Sequence, residues 1–239
     1  MSDICTVKKS TLDGIAEAIQ SKTGESGRML PSEMAGKIED IPSPPTKGLV
    51  FSEYDSDGYP HKAEFVGSWT SIPKAYCYFL IWSNQTFARN ITSIKIPDTV
   101  IDIGSSAFQD CRTLATVDLP DNDIELGGSA FQNCKALTSI TFKRNVAFNV
   151  NAHFNGDTAL TSVTFGGDVI NQAIANSFIN CSAVMLYDFS HATFVPPLYS
   201  VASLGHANGC VIKVPQALLA TWQNETNWSG LTNVTWQGV

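Results

Sequence analysis

The sequence predicts an α+β repeat solenoid dominated by short strands and turns, with a small helical element in front and a helical, tryptophan-bearing cap behind. Three observations carry that expectation. The stretch "AFQDCRTLATVDL" at 107–119 returns as "AFQNCKALTSITF" at 130–142, 23 positions later. Four apolar columns keep the same 23-residue spacing: Leu114, Leu137 and Leu160; Val117, Ile140 and Val163; Leu119, Phe142 and Phe165; Phe108, Phe131 and Phe154. The chain of 239 residues is 44% hydrophobic but only 15% charged, and Thr, Ser, Asn and Ala are abundant. A fixed period in this range means stacked units that share one core.

From the N-terminus, residues 1–42 share nothing with the repeat. "TLDGIAEAIQSKTG" predicts a helix with Leu12, Ile15 and Ile19 on one face. "LPSEMAGKIEDI" predicts a second, with Met34, Ile38 and Ile41 as its stripe and Pro31 in its first turn. Amphipathic helices this short are not stable alone, so these six side chains are the candidate assembly or attachment surface. Residues 43–48 form a proline-rich linker. Residues 49–67 predict a β-hairpin and N-terminal cap, turning at Asp55-Ser56-Asp57-Gly58.

The solenoid is expected over 68–214. Ile91, Ile94 and Ile96 extend the columns back by one period. "AEFVGSWTSIPKAYC" repeats "IKIPDTVIDIGSSAF" at a shift of 31, setting Ala63 against Ile94 and Ile72 against Ile103. The excess falls in an aromatic insertion at 78–90. Later units carry Phe178, Val184, Tyr187 and Phe189, then Ile212 and Val214. Each unit reads as strand, turn, short strand, turn. Residues 215–239 form the cap: Pro215 opens a short helix to about Asn224, with Trp222, Trp228 and Trp236 over the open end.

"IPDTVIDIGSSAF" followed by "FQDCRTLATVDLP" and "FQNCKALTSITF" resembles the BspA-type leucine-rich repeats of bacteria and their phages. The resemblance covers about 60–215 and is strongest at 91–142. It weakens at 143–159, where Asp157 stands in the cysteine column, and at 190–210, where His206 does. The front end, with Leu12, Asp13, Ile15, Ala16, Ala18, Ile19, Lys22, Thr23 and Gly24, resembles the N-terminal segment of tail and accessory structural proteins of phages and prophages of gut Firmicutes. The first resemblance implies a binding solenoid, the second a virion context.

Formal net charge is −7, and no basic stripe offers itself to nucleic acid. No apolar run reaches the length of a membrane span, and the start shows no signal peptide. Four histidines at 61, 153, 191 and 206 have no metal spacing, although His206 and Cys210 could face one another. The six cysteines are expected as mostly free, buried thiols, and Cys111, Cys134 and Cys181 follow the repeat. Neither a phosphate-binding loop nor a nucleophile elbow is present, so no catalytic residue and no cofactor is expected.

What remains is the outward strand face: Ser93, Lys95, Thr116, Asp118, Ser139, Thr141, Ser162, Thr164, Asp188 and Lys213. Lys95 and Asp118 are neighbours there and are expected to pair. Asp118 and Asp188 are three rungs apart, roughly 14 Å at strand spacing, wider than the ~5–9.5 Å of paired glycosidase carboxylates. The sequence therefore points to a non-enzymatic recognition module for a protein or a cell-surface glycan. The expected setting is a phage or prophage tail, assembled in the host cytoplasm and released by lysis. The alternative is a bacterial adhesin or interaction protein of the cytoplasm or cell surface, and a carbohydrate-active enzyme is a remote third.

Overall fold

The computed structural model describes residues 47–56, 60–74, 90–149, 151–170 and 173–239. The two helices expected within 1–42, their six stripe residues and nearly all of the aromatic insertion lie outside them.

The array opens on an antiparallel hairpin, β1 (Lys47–Tyr54) and β2 (Pro60–Gly67), which sets Leu49 opposite Phe65 and Phe51 opposite Ala63. All four are buried. Short strands follow: β3 (Ser71–Ile72), β4 (Ser93–Lys95), β5 (Asp102–Ile103), β6 (Thr116–Asp118), β7 (Ile124–Leu126), β8 (Ser139–Phe142), β9 (Val146–Phe148), β10 (Ser162–Phe165), β11 (Val169–Ile170), β12 (Leu186–Asp188), β13 (Cys210–Val214) and β14 (Val234–Gly238). They stack in parallel on two sides of the coil. One side runs β1-β2-β4-β6 and then β8-β10-β12-β13-β14, and the other runs β3-β5-β7-β9-β11.

The hairpin is what lets a parallel stack start. β1 shields one edge of β2, and the other edge takes β4 in register, with Ala63 beside Ile94. Ile72 likewise lies beside Ile103. The 31-residue shift inferred from the sequence is thus the structural register.

Turns make the third side, and they are hydrogen-bonded from coil to coil as well. The amides of Phe108, Phe131 and Phe154 donate to the carbonyls of Ala130, His153 and Ser177. Two residues per turn take left-handed backbone angles: Ser106 and Asp110, Ser129 and Asn133, Ala152 and Gly156, Asn176 and Asn180. Asn, Asp and Gly tolerate that region best. Gly127 answers a different need, since a Cβ there would overlap the backbone of Ser105.

Phenylalanines stack along the axis in two columns. Phe108–Phe131, Phe131–Phe154 and Phe154–Phe178 have ring centroids 5.1, 5.4 and 5.2 Å apart and near-parallel planes. Phe142–Phe165 and Phe165–Phe189 repeat this at 5.3 and 4.4 Å. Such pairs contribute about 0.5–1.5 kcal/mol each beyond burial. The columns meet edge-on, as at Phe142–Phe154. The second column ends against Trp222, 4.8 Å from Phe189, and Trp222 lies 4.6 Å from Trp228. A 3₁₀ turn (Gln216–Leu218) and helix α1 (Leu219–Asn224) carry Trp222 over the end, and β14 brings Trp236 beside it. The expected aromatic closure is therefore present.

Between β6 and β8 the sheet ladder lapses, and the Thr138 amide reaches the Ala115 carbonyl at 3.3 Å.

Leu137 is fully buried between Leu114 and Leu160. Leu137→Ala is expected to cost ~2–5 kcal/mol, read by equilibrium urea unfolding. A loss under about half a kcal/mol would contradict the assigned packing.

Candidate functional site

Strand alternation fixes which side chains face outward. Ile94, Ile140, Val163 and Tyr187 point into the core, so the residues on either side of them cannot. Ser93 lies beside Thr116, Ser139 beside Ser162, and Ser162 beside Leu186. In the second row Lys95 lies beside Asp118, Thr141 beside Thr164, Thr164 beside Asp188, and Asp188 beside Lys213. All ten residues proposed from the sequence thus share one sheet side, exposed or half-buried.

The charges on this side are matched, though not as expected. Lys95 Nζ binds Glu64 Oε1 at 3.0 Å rather than Asp118. That contact holds the Lys95 pKa above its ordinary value. Asp118 instead accepts from Lys143 Nζ at 2.7 Å. Lys143 lies just past the end of β8, and its long side chain reaches back across the β6–β8 break. Asp188 and Lys213 come within 3.8 Å. Exposed pairs of this kind add about 0–1 kcal/mol, so their main effect is to leave the face electrically quiet.

The hydroxyls behave differently in adjacent columns. Thr92, Thr138 and Thr161 turn their Oγ1 groups onto the carbonyls of His61, Ala115 and Thr138, tying coil to coil. Ser93, Thr116, Ser139, Thr141, Ser162 and Thr164 make no side-chain hydrogen bond among the described residues. Four of them, on β8 and β10, form a two-by-two patch of free hydroxyls. Rungs lie about 4.8 Å apart. The Asp118–Lys143 and Asp188–Lys213 pairs border it.

The repeat's departures from pattern are buried polar groups. His153 takes the place held by Ala107 and Ala130 in earlier coils and is fully buried. Its Nδ1 is 3.0 Å from Ser177 Oγ, and its Nε2 is 3.0 Å from the Asn149 carbonyl. Burial pushes its pKa down to about 4, so the ring is neutral. Asp157 takes the cysteine position and is fully buried too, and burial pushes its carboxyl up to about 9. Both substitutions fall in the 143–159 unit where the sequence pattern fades.

Cys111, Cys134, Cys181 and Cys210 are free and buried, in line with expectation. Burial raises the thiol pKa of Cys134 and Cys181, and that of Cys210 to about 11. His206 does not face Cys210. Its ring nitrogens lie 2.8 and 3.0 Å from the carbonyls of Leu204 and Thr232. Among the described residues no group of three His, Cys, Asp or Glu is placed to hold a metal ion, and no helix is long and apolar enough to cross a membrane.

Parallel-stacked coils with a regular internal period and an outer strand face define the class: a β-dominated repeat solenoid. Residues 82–195 match the family model described as BspA type leucine rich repeat region, in six copies. The chain is also similar to the crystal structure of a T. pallidum leucine-rich-repeat protein (TpLRR). Identity is 15% and the TM-score 0.43, with 79% of this chain and 97% of that one covered. No match was found among curated proteins.

The four buried cysteines are expected to resist alkylation in the native protein and to react after denaturation, followed residue by residue by mass spectrometry. Rapid native labelling of Cys134 would contradict its placement. His153, with its folded pKa depressed from 6.5 to about 4, contributes stability that is complete above pH 6.5 and is lost as pH falls toward 4. A folded His153→Asn variant is expected to show less of that acid-side loss in its urea midpoint.

Proposed function

We propose that the protein is a non-enzymatic interaction module that binds a protein or glycan partner through the β8–β10 side of its solenoid. One observation carries the reading. Ser139, Thr141, Ser162 and Thr164 offer hydroxyls that make no side-chain hydrogen bond among the described residues, on a side whose flanking charges are paired. A rigid, neutral array of donors and acceptors suits a polar uncharged surface, because binding it leaves no unpaired charge to desolvate. The match over 82–195 supports a repeat-based binding role.

The bacterial interaction-protein reading is preferred to the phage-tail one. The tail setting rested on residues 1–42, which lie outside the described part, and no comparison points to a virion. Those residues remain a proposed assembly element. Grouping several copies would multiply weak contacts made by so plain a face.

Screening the full chain against immobilised glycans and bacterial surface proteins tests the reading. Replacing Thr141 and Thr164 together by Arg is expected to weaken the strongest interaction by about tenfold or more, equivalent to ~1.4 kcal/mol, with the thermal midpoint nearly unchanged. A partner bound equally well by the double variant would move the site elsewhere on the molecule.

A further inference from the structure

Asp157 is an exception within an otherwise repetitive column. In the coils on either side, a cysteine thiol crosses to the carbonyl of a core phenylalanine. Cys134 Sγ donates to Phe108 O at 3.2 Å, and Cys181 Sγ donates to Phe154 O at 3.0 Å. The register assigns Asp157 to the Phe131 carbonyl in the same way, 26 positions back, as Cys134 stands to Phe108.

Its two oxygens are unequal. Oδ1 accepts from the Cys134 amide at 2.8 Å. Oδ2 is buried and has no hydrogen-bond partner among the described residues. A carboxylate can only accept hydrogen bonds. The Cys134 and Asn133 amides favour the charge, but burial with Oδ2 unbonded outweighs them. A carboxylic acid resolves this, because one oxygen accepts and the other donates.

The surroundings agree. The groups facing Asp157 are the thiols of Cys134 and Cys181 from the two neighbouring coils, with Cys111 and Asp110 one coil beyond Cys134. None is a cation, and no ion pair reaches Asp157 among the described residues. His153, in the same turn, spends both ring nitrogens on Ser177 and Asn149.

We propose that Asp157 is a proton-dependent latch: as a neutral acid, its Oδ2–H replaces the cysteine thiol and donates to the phenylalanine carbonyl row, and ionisation opens that link. The latch belongs to the turn that delivers β10, so opening it weakens the coil beneath Ser162 and Thr164. The proposal stands on the buried geometry alone and holds whatever the outer face binds.

The sign of the pH effect follows. The folded carboxyl pKa is raised from 3.8 to about 9, so the stability it contributes is complete below 3.8 and is lost as pH rises toward 9. Above pH 6.5 the His153 contribution is constant. The buried thiols of Cys134, Cys181 and Cys210, raised from 9.0, begin to add a loss of their own only as pH nears 9, so the Asp157 contribution is the part of the fall between pH 7 and 9 that its variants remove.

The direct test is the ¹³C shift of the Asp157 carboxyl in labelled, folded, full-length protein. It is expected to hold the neutral-acid position at pH 7 and to move only as pH approaches 9. In parallel, the wild-type urea midpoint should fall between pH 7 and 9. Most of that fall should vanish in Asp157→Asn, which cannot ionise, and in Asp157→Cys, which restores the column. A carboxylate shift at pH 7 overturns the proposal, as does a wild-type pH slope kept by both variants. Should neither variant fold, the wild-type carboxyl titration decides.

Discussion

Everything in this molecule depends on coil-to-coil registration. A parallel ladder binds the backbone only if each unit presents its amides and carbonyls at the height of its neighbour's. The aromatic columns make the same demand in the core, where Phe108, Phe131, Phe154 and Phe178 lie face to face with almost no tilt. A residue added to one unit would displace both ladders at once. The extra length is therefore confined to the insertion after β3 and to later turns, where units of 24 and 25 residues still deliver Tyr187 and Ile212 to their places.

Registration also explains the outer face. Because inward residues are fixed by the core, the residues between them form straight rows whatever their identity. Chemistry then varies along a row without disturbing the fold. The ends carry matched charges and the middle carries bare hydroxyls. The adjacent threonine column is consumed in holding coils together, so similar side chains one position apart serve different ends.

Much of this was legible in the sequence because a repeat states its own alignment. The columns, the 31-residue offset of the first unit and the tryptophan closure follow from spacing and apolarity alone. The outward rows followed from alternation. Salt-bridge partners followed only in part: Lys95 has in-register acids on both neighbouring strands and takes Glu64 rather than Asp118, while Lys143 reaches Asp118 from beyond the end of β8. The 143–159 unit was legible as a departure, but not as a compensated one. His153 in an alanine place finds Ser177 in the next coil, and only three-dimensional neighbourhood reveals that match. The free state of the Ser139, Thr141, Ser162 and Thr164 hydroxyls was equally invisible, because sequence does not say which threonines bond backward to the preceding coil.

The interrupted ladder between β6 and β8 has a mechanical consequence. On the opposite side β5 and β7 remain paired, and in the turns the Ser106 amide still reaches the Gly128 carbonyl. One wall of the tube is thus discontinuous where the other two are whole. Coil-to-coil attachment on that wall passes there to the Thr138 amide and hydroxyl on the Ala115 carbonyl and to the Lys143–Asp118 pair that spans the gap. The outer face is thereby divided into two patches, β2–β4–β6 and β8 to β14, each with an unbroken ladder of its own, and the four open hydroxyls belong wholly to the second.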